Sequence, residues 1–207
     1  MIDVRPDGFV VLGRERAKPL APDERRAAIV DAVIPLLREK GRDVSTRQIA
    51  EACGIAEGTI FRAFGDKETL IAAAVERYFD PEPFRDALRG IDPDDPTEAK
   101  VSQVLELLRT RFTGIVGFMS ALGMRDGPPR QFTRGDEQEW IGIVGRMFAD
   151  DELSVPVETL AFYLRLLAFG TAIPVFNAPH PFSTEELTAL ITRGVLPAAP
   201  TTGKKKN

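Results

Sequence analysis

Two short apolar patterns separated by a glycine lie between residues 45 and 70, and this segment constrains the fold more than any other. Ser45 is followed three residues later by Gln48, which is the capping-box signature of a helix start, so we expect a helix from Thr46. Gly54 then offers the left-handed backbone conformation that commonly ends a helix. The segment therefore predicts a short helix followed by a tight turn.

A second short helix is predicted from about Glu57 to Phe64, because Ile60 and Phe64 stand at the i, i+4 spacing of one buried face. Gly65 ends this pattern, and Asp66 is a favourable N-cap for a further helix. Two short helices joined by a glycine turn form the layout of a helix-turn-helix, whose second helix enters the major groove of DNA.

These residues resemble the TetR-type family of bacterial one-component transcriptional regulators over about residues 23 to 79. The resemblance implies an all-α fold, in which an N-terminal three-helix helix-turn-helix DNA-binding domain precedes a helical ligand-binding and dimerisation domain. It also implies a homodimeric repressor that binds a near-palindromic operator in double-stranded DNA and releases it when an effector binds. The matching elements, in chain order, are Lys40-Gly41, Val44-Ser45-Thr46, Ile49-Ala50, Cys53-Gly54-Ile55, Gly58-Thr59-Ile60-Phe61, Phe64 and Lys67-Glu68 with Leu70.

The resemblance implies DNA contacts at eight positions. Thr46 and Lys67 match positions that hold phosphates, which orient a protein on DNA without reading its sequence. Arg47 matches a position that reaches base edges, where a guanidinium can pair with guanine; the alternative is a solvated charge. Glu57 either accepts a hydrogen bond from cytosine or favours the positive end of its helix. The full set is Thr46, Arg47, Glu57, Gly58, Thr59, Phe61, Arg62 and Lys67.

The other four of these positions lie on the predicted second helix. Gly58 and Thr59 allow the backbone to approach DNA closely, and Arg62 reaches a phosphate or a base. Phe61 is compatible both with a packing aromatic and with a DNA contact through its ring edge.

The chain departs from the family pattern at three positions of this region. The family usually has Tyr where this chain has Phe61, so one phosphate hydrogen bond is expected to be missing. It often has His where Ala63 stands and Ser where Ala56 stands, at the N-cap of the recognition helix. We therefore expect weaker contacts to the DNA backbone.

Charge is distributed unevenly along the chain. The net charge of the 207 residues is -4, whereas residues 14–67 hold 11 basic and 9 acidic side chains, a net of +2. Residues 68–207 hold 15 basic and 20 acidic side chains, a net of -5. Because phosphate neutralisation dominates DNA affinity and makes it salt-dependent, the modest N-terminal excess is expected to need doubling by dimerisation.

Composition argues against several other classes of protein. The one histidine, His180, and the one cysteine, Cys53, provide neither a nucleophile with its base nor a metal cluster, so we expect no enzyme, catalytic residue, metal or cofactor. A single cysteine excludes an internal disulfide and suits a reducing cytoplasm. Residues 1–13 lack the apolar core of a signal peptide. Residues 160–176 are interrupted by Arg165 and are shorter than the roughly 20 residues of a membrane span.

Amphipathic helical patterns continue towards the C terminus. A long helix is predicted with Pro96 at its first position, another from about Asp136, and a last one from the capping box that begins at Ser183. Residues 157–176 are apolar around more than one face, as in a helix that touches both its own core and a partner. By the resemblance, residues 157–176 and 183–195 form the homodimer interface; a monomeric core helix is the alternative.

The resemblance also implies that a small molecule binds among the C-terminal helices. The available side chains suit an apolar or aromatic effector, and ordinary core packing is the alternative interpretation for each of them. The candidate ligand-binding residues are Phe112, Phe118, Met119, Trp140, Met147, Phe148, Phe162, Tyr163 and Phe169.

We expect four segments: a flexible N-terminal extension at 1–22, the helix-turn-helix domain at 23–70, the sensor and dimerisation domain at 71–196, and a disordered tail at 197–207. Basic residues at 14, 16 and 18 alternatively form an arm that enters the minor groove. The predicted function is a sequence-specific, ligand-responsive regulator in the cytoplasm, with a helical module that binds DNA nonspecifically or binds a protein partner as the alternative.

Overall fold

The computed structural model describes residues 3–4, 10–11, 21–125, 127–129 and 132–195. Helices make up about three quarters of it, and the predicted all-α class is confirmed. Near the N terminus, the two-residue strands β1 (Asp3–Val4) and β2 (Val10–Val11) pair in antiparallel fashion. The helices are α1 (Pro22–Lys40), α2 (Thr46–Cys53), α3 (Glu57–Phe64), α4 (Lys67–Phe79), α5 (Glu82–Arg89), α6 (Thr97–Ala121), α7 (Arg134–Met147), α8 (Val157–Ala172), α9 (Pro174–Asn177) and α10 (Thr184–Val195), with a 3-10 turn at Gly41–Asp43 after α1.

The first four helices pack around one apolar core, with the predicted inward residues of α2 and α3 at its centre. Ile49 and Ile60 have no exposed surface, and Phe64 is buried beside them. α3 begins and ends at the predicted residues, and α2 begins at Thr46 as predicted. We call α1 to α4 the reading head.

Local hydrogen bonds explain where the reading-head helices begin and end. The Ser45 hydroxyl accepts a hydrogen bond from the Gln48 amide at 3.2 Å, and Gln48 Oε1 accepts one from the Ser45 amide at 3.0 Å. Gly54 has φ 65° and ψ 32°, so the left-handed turn after α2 is confirmed. Asp66 Oδ1 accepts a hydrogen bond from the Thr69 amide at 2.7 Å and caps α4.

A second core lies among the later helices, and α6 contributes to both cores. The predicted apolar residues of α7, including Trp140 and Val144, are buried in the second core together with Leu105 and Leu108 of α6. Towards its other end, α6 inserts Phe118 into the reading-head core, where its ring stacks on Tyr78 with 4.1 Å between ring centroids. One continuous helix therefore connects the two cores.

A buried ion pair ties the start of α6 to the end of α7. Lys100 and Asp151 form this pair, and their side chains are 3% and 7% exposed. The Lys100 ammonium also donates to the carbonyl oxygens of Pro93, at 2.8 Å, and Met147, at 3.1 Å. Because loss of one partner would leave the other charge buried, this cluster holds the α6 and α7 ends together.

The prediction of one helix over residues 157–176 is wrong. α8 ends at Ala172, and Ile173 is extended, with φ -95° and ψ 116°. Pro174 explains the break, because proline lacks an amide hydrogen and disfavours helical backbone in the residue before it. The four-residue α9 then begins at Pro174.

Other boundaries differ by smaller amounts. α7 begins at Arg134 instead of about Asp136, because the Thr133 hydroxyl caps it by accepting from the Asp136 amide. Pro96 is the N-cap of α6, so this helix begins at Thr97, one residue later than predicted. Sequence patterns did not predict α5 as a separate helix. The Ser183 box is confirmed, since Ser183 Oγ accepts from the Glu186 amide at 3.0 Å.

Two predicted segments fall largely outside the part of the chain that the structure describes. The tail at 197–207 and the basic residues at 14, 16 and 18 lie outside the described residues. The predicted domain limit between 70 and 71 lies within α4, whose buried side chains all belong to the reading-head core. The domain limits stay a prediction.

Gly41 lies against the end of α6. Its backbone has φ 60° and ψ -144°, a conformation almost restricted to glycine. A Cβ atom at this position would lie 2.3 Å from the carbonyl oxygen of Ala121 at the end of α6. The absence of a side chain therefore allows α1 to end against α6.

Gly41→Ala is expected to lower the free energy of unfolding by about 3 kcal/mol or more, because backbone strain adds to the overlap with Ala121. Gly54→Ala is the control: its φ of 65° is similar, but a Cβ atom there would meet no atom within 4 Å, so about 1 to 2 kcal/mol is expected. Urea denaturation measures both values. Equal losses in the two variants would show that the contact with Ala121 adds nothing.

Candidate nucleic-acid interface

The eight predicted DNA-contact residues lie on three helices: Thr46 and Arg47 begin α2, Lys67 begins α4, and the other five lie along α3. Arg47 on α2 is exposed, and so are Glu57, Gly58 and Arg62 on α3. Thr46, Thr59 and Lys67 are half-buried. The buried side of α3 is occupied by Ile60 and Phe64, so the remaining sides of the helix face solvent.

An arginine of α1 holds the C-terminal end of α3. The Arg26 guanidinium donates a hydrogen bond to the Ala63 carbonyl oxygen and lies 4.3 Å from the centroid of the Phe64 ring. A cation is favourable at the end of a helix, where carbonyl groups lack internal partners. Arg26 is 37 residues from Ala63 in sequence, and no local pattern indicated the contact.

Two predicted phosphate-binding residues already have partners within the protein. The Thr46 hydroxyl donates a hydrogen bond to the Glu57 carboxylate and so connects the starts of α2 and α3. The Lys67 ammonium donates to the carbonyl oxygen of Arg42 at 2.7 Å. The Arg42 guanidinium in turn pairs with Glu68 at 2.7 Å. A DNA phosphate would have to replace or extend these contacts.

The two arginines of the interface are held weakly. Arg47 Nε lies 3.0 Å from Glu51 Oε1, but the two side chains are 80% and 62% exposed. Such exposed pairs contribute little to stability, so Arg47 can turn towards DNA at small cost. Arg62 Nε donates to the Gly58 carbonyl oxygen in a long hydrogen bond of 3.3 Å.

Gly58 is not explained by packing within the chain. It lies inside α3, where glycine lowers helix stability by about 0.5 to 1 kcal/mol relative to alanine. A Cβ atom at Gly58 would meet no atom within 4 Å. Since the fold does not need a glycine there, its small size matters only for something that approaches α3 from outside.

Phe61 is 47% exposed and belongs to neither core. It lies on α3 one residue after the buried Ile60, on the solvent side of the helix. Single exposed apolar side chains are common on protein surfaces. The position leaves the Phe61 ring accessible for an external contact.

Two titratable groups of the reading head have shifted pKa values. Hydrogen bonds from Thr69 lower the pKa of the Asp66 carboxyl, so this cap remains ionised at the start of α4. Burial raises the pKa of the Cys53 thiol, which lowers its reactivity at neutral pH. Cys53 therefore does not have the environment of a redox sensor.

The predicted effector-binding residues lie in three different places. Phe118 and Met119 belong to the reading-head core. Phe162 and Tyr163 are 58% and 48% exposed on α8. Phe169 is also on α8 and 46% exposed, with its ring 5.3 Å from that of Phe112. The others lie in or against the second core: Phe112, Trp140, Met147 and Phe148.

We also searched the described residues for metal-binding groups and for membrane-spanning helices. Among them, no three histidine, cysteine, aspartate or glutamate side chains are grouped to hold a metal ion. Within the same part of the chain, no helix combines the length and apolar character required to cross a bilayer. His180 contacts the Phe182 ring edge-on, with 4.7 Å between ring centroids.

Comparisons with known proteins found a matching family model and two similar curated proteins. Residues 29–74 match the family model described as bacterial regulatory proteins, tetR family. The chain is 36% identical over 70 residues to the HTH-type transcriptional repressor KstR of Rhodococcus jostii, and the match covers 33% of each protein. It is 38% identical over 60 residues to the uncharacterized HTH-type transcriptional regulator YvkB of Bacillus subtilis, covering 28% of this chain and 31% of that protein.

A solved structure extends the similarity to the later helices. A TetR transcriptional regulator from Streptomyces coelicolor superposes with a TM-score of 0.56 at 22% identity, over 84% of this chain and 99% of the other. At this identity the likeness shows the fold alone. The chain spans about a third of the length of the curated relatives it matches.

Ala56→Ser is expected to raise the free energy of unfolding by about 1 kcal/mol, because Ala56 has the extended N-cap backbone, φ -73° and ψ 140°, but no side-chain acceptor for α3. Ser45→Ala, which removes the existing cap of α2, is expected to lower it by a similar amount. Both changes are measured by urea denaturation. A loss of stability in Ala56→Ser would contradict the N-cap assignment.

Proposed function

We propose that this chain, whose residues 29–74 match the tetR family of bacterial regulatory proteins, is a transcriptional repressor that binds a near-palindromic operator as a homodimer and responds to a small molecule. A role on chromosomal DNA requires that it acts in the cytoplasm, as the sequence predicts. Proteins of this family are in general regulators without enzymatic activity.

The exposed side of α3 carries this proposal. It combines a glycine with open space, an exposed aromatic ring and an arginine held by one long hydrogen bond, namely Gly58, Phe61 and Arg62. Arg47 stands beside it in a weak ion pair. A helix with a small residue for close approach, flanked by cations that can turn outward, fits the major groove.

Homodimerisation is supported by an apolar stripe on α8. Phe162, Leu166 and Phe169 stand at i, i+4 and i+7, and they are 58%, 51% and 46% exposed. The opposite side of the same helix is buried in the second core through Leu160 and Leu164. Since soluble monomers rarely expose such a contiguous apolar stripe, we propose that α8 and α10 of two copies pack together.

Two-fold symmetry then sets the form of the operator. Two copies of α3 would lie about 34 to 36 Å apart, which is one turn of DNA. The same symmetry doubles the net charge of +2 held by residues 14–67. A near-palindromic site is the DNA sequence that matches such a protein.

The effector is proposed to bind against the second core. Phe112 and Phe169 contact each other at its edge, and Trp140 lies buried within it. An apolar or aromatic molecule inserted among these rings would displace α6, whose other end lies in the reading head through Phe118. The effector would thus favour a second arrangement of the reading heads, and release of DNA follows from that shift in population.

Sequence-specific binding is tested by selecting fragments of the source genome at physiological salt. The wild-type protein is expected to recover one near-palindromic site. A double variant, Arg47→Ala with Thr59→Ala, is expected to lose this site, because one bidentate base contact is worth about 1 to 3 kcal/mol of discrimination. Arg146→Ala removes an exposed arginine of α7 and is the control that should retain selection.

The same experiment tests the alternative function. In that alternative, the chain is a helical module that binds DNA nonspecifically or binds a protein partner. Nonspecific binding rests on phosphate contacts and weakens uniformly as salt rises. Recovery of the same fragments by the wild type and the double variant, or of no fragment by either, would contradict sequence reading by α3.

Leu166→Glu is expected to convert the dimer to a monomer with an unchanged circular dichroism spectrum. The side chain is 51% exposed in one copy, so glutamate is tolerated there, whereas a carboxylate without a partner in an apolar interface is strongly unfavourable. Phe61→Glu is the matched control on the reading head, and it should stay dimeric while DNA binding falls. Sedimentation measures the mass, and a Leu166→Glu dimer would contradict the α8 interface.

A further inference from the structure

A polar cleft separates the reading head from the later helices, on the side of α6 that faces α1 and α10. Its volume is about 590 Å³. Arg38 of α1 and Tyr78 of α4 line one side, and Arg109 of α6 and Thr184 of α10 line the other. None of these residues was predicted to bind DNA or effector, and the cleft is separate from the apolar second core.

The positive charges of this cleft are incompletely paired. Arg38 is exposed and has neither an ion pair nor a hydrogen bond to any residue that the structure describes. Arg109 donates to two uncharged oxygens, Thr184 Oγ1 and the Phe182 carbonyl, each at 2.8 Å. Glu106 is the one carboxylate lining the cleft among the described residues, and its Oε2 accepts from the Thr184 hydroxyl at 2.8 Å. Two guanidinium groups and one carboxylate therefore line the cleft, a net charge of +1.

Hydroxyl groups complete the lining. Thr110 and Thr113 of α6 line the cleft, and across the described residues their side chains have no hydrogen-bond partner. The same holds for the Tyr78 hydroxyl, which occupies the space that a side chain at Gly114 would need: a Cβ atom there would lie 2.6 Å from it. Gly114 thus lets the phenol reach the cleft.

We propose that this cleft binds a small oxyanion, with Arg38 and Arg109 as the charged donors and the Tyr78, Thr110 and Thr113 hydroxyls as the neutral ones. Guanidinium groups bind carboxylate and phosphate through charge-assisted hydrogen bonds, which are stronger than hydrogen bonds between neutral groups. Threonine and tyrosine hydroxyls supply further donors to the same oxygens. The ligand class is a small metabolite that carries a phosphate or a carboxylate group.

The position of the cleft gives the anion a regulatory consequence, and this step rests on the proposed function. Arg38 belongs to α1 of the reading head, whereas Arg109 belongs to the part of α6 that lies in the second core region. An anion held by both would connect the two cores and favour the arrangement in which α1 and α6 are close. The anion would change the DNA affinity by at most the ratio of its own affinities for the two arrangements.

Binding is tested on the full-length protein without DNA, by calorimetric titration with inorganic phosphate and, separately, with succinate at constant ionic strength. Saturable binding of at least one anion is expected for the wild type. Arg38→Gln is expected to weaken it about tenfold, the loss of one charge-assisted hydrogen bond. Since Arg38 is exposed and unpaired among the described residues, this variant should fold normally. The anion that binds more tightly identifies phosphate or carboxylate as the recognised group.

Two further variants distinguish a specific anion-binding site from a nonspecific effect of positive charge. Thr113→Val removes one hydroxyl without changing charge, and a loss of about threefold or more is expected. Arg146→Gln removes a charge on α7 outside the cleft and should bind like the wild type. Equal affinity of Arg38→Gln and wild type, equal weakening by Arg146→Gln, or no saturable binding of either anion would overturn the proposal. Because these titrations contain no DNA, their failure leaves operator binding untouched, and loss of operator selection leaves them valid.

Discussion

The insertion of Phe118 into the reading-head core is the contact on which the rest of the structure depends. α6 otherwise belongs to the second core, where Leu105 and Leu108 are buried. Phe118, with Ile115 and Met119 packed against the same reading-head core, makes the two cores share an element. Its stacking on Tyr78 and the close approach of Gly41 to Ala121 place α1 and α4 directly against the end of α6. The reading head is therefore packed directly against α6 and is not an independent domain joined only by a linker.

Local sequence was sufficient to predict the reading head in detail. Capping boxes, glycine turns and i, i+4 spacings act over a few residues, so Ser45, Gly54 and Asp66 could be assigned without knowledge of the fold. The same patterns predicted the buried faces of α6 and α7. The predicted DNA-contact residues lie on the predicted helices α2, α3 and α4, and their roles remain a proposal.

Features that depend on contacts between distant segments could not be predicted from the sequence. The Arg26 contact with α3 and the pairing of Lys67 with the Arg42 carbonyl join residues 25 or more apart, and no periodicity encodes them. Aromatic composition likewise suggested one effector pocket, although Phe118 and Phe162 lie in a core and on a surface respectively. The end of α8 was mispredicted because apolar periodicity outweighed the local effect of Pro174.

The contact between Arg26 and the end of α3 also determines how the recognition helix can move. Because α1 holds the C-terminal end of α3 while the Thr46 to Glu57 hydrogen bond holds its start, α3 is attached at both ends to other parts of the reading head. It cannot tilt alone without breaking one of these attachments. A signal that leaves both attachments in place would turn the whole reading head as one body, so that DNA would meet a changed spacing between two intact surfaces.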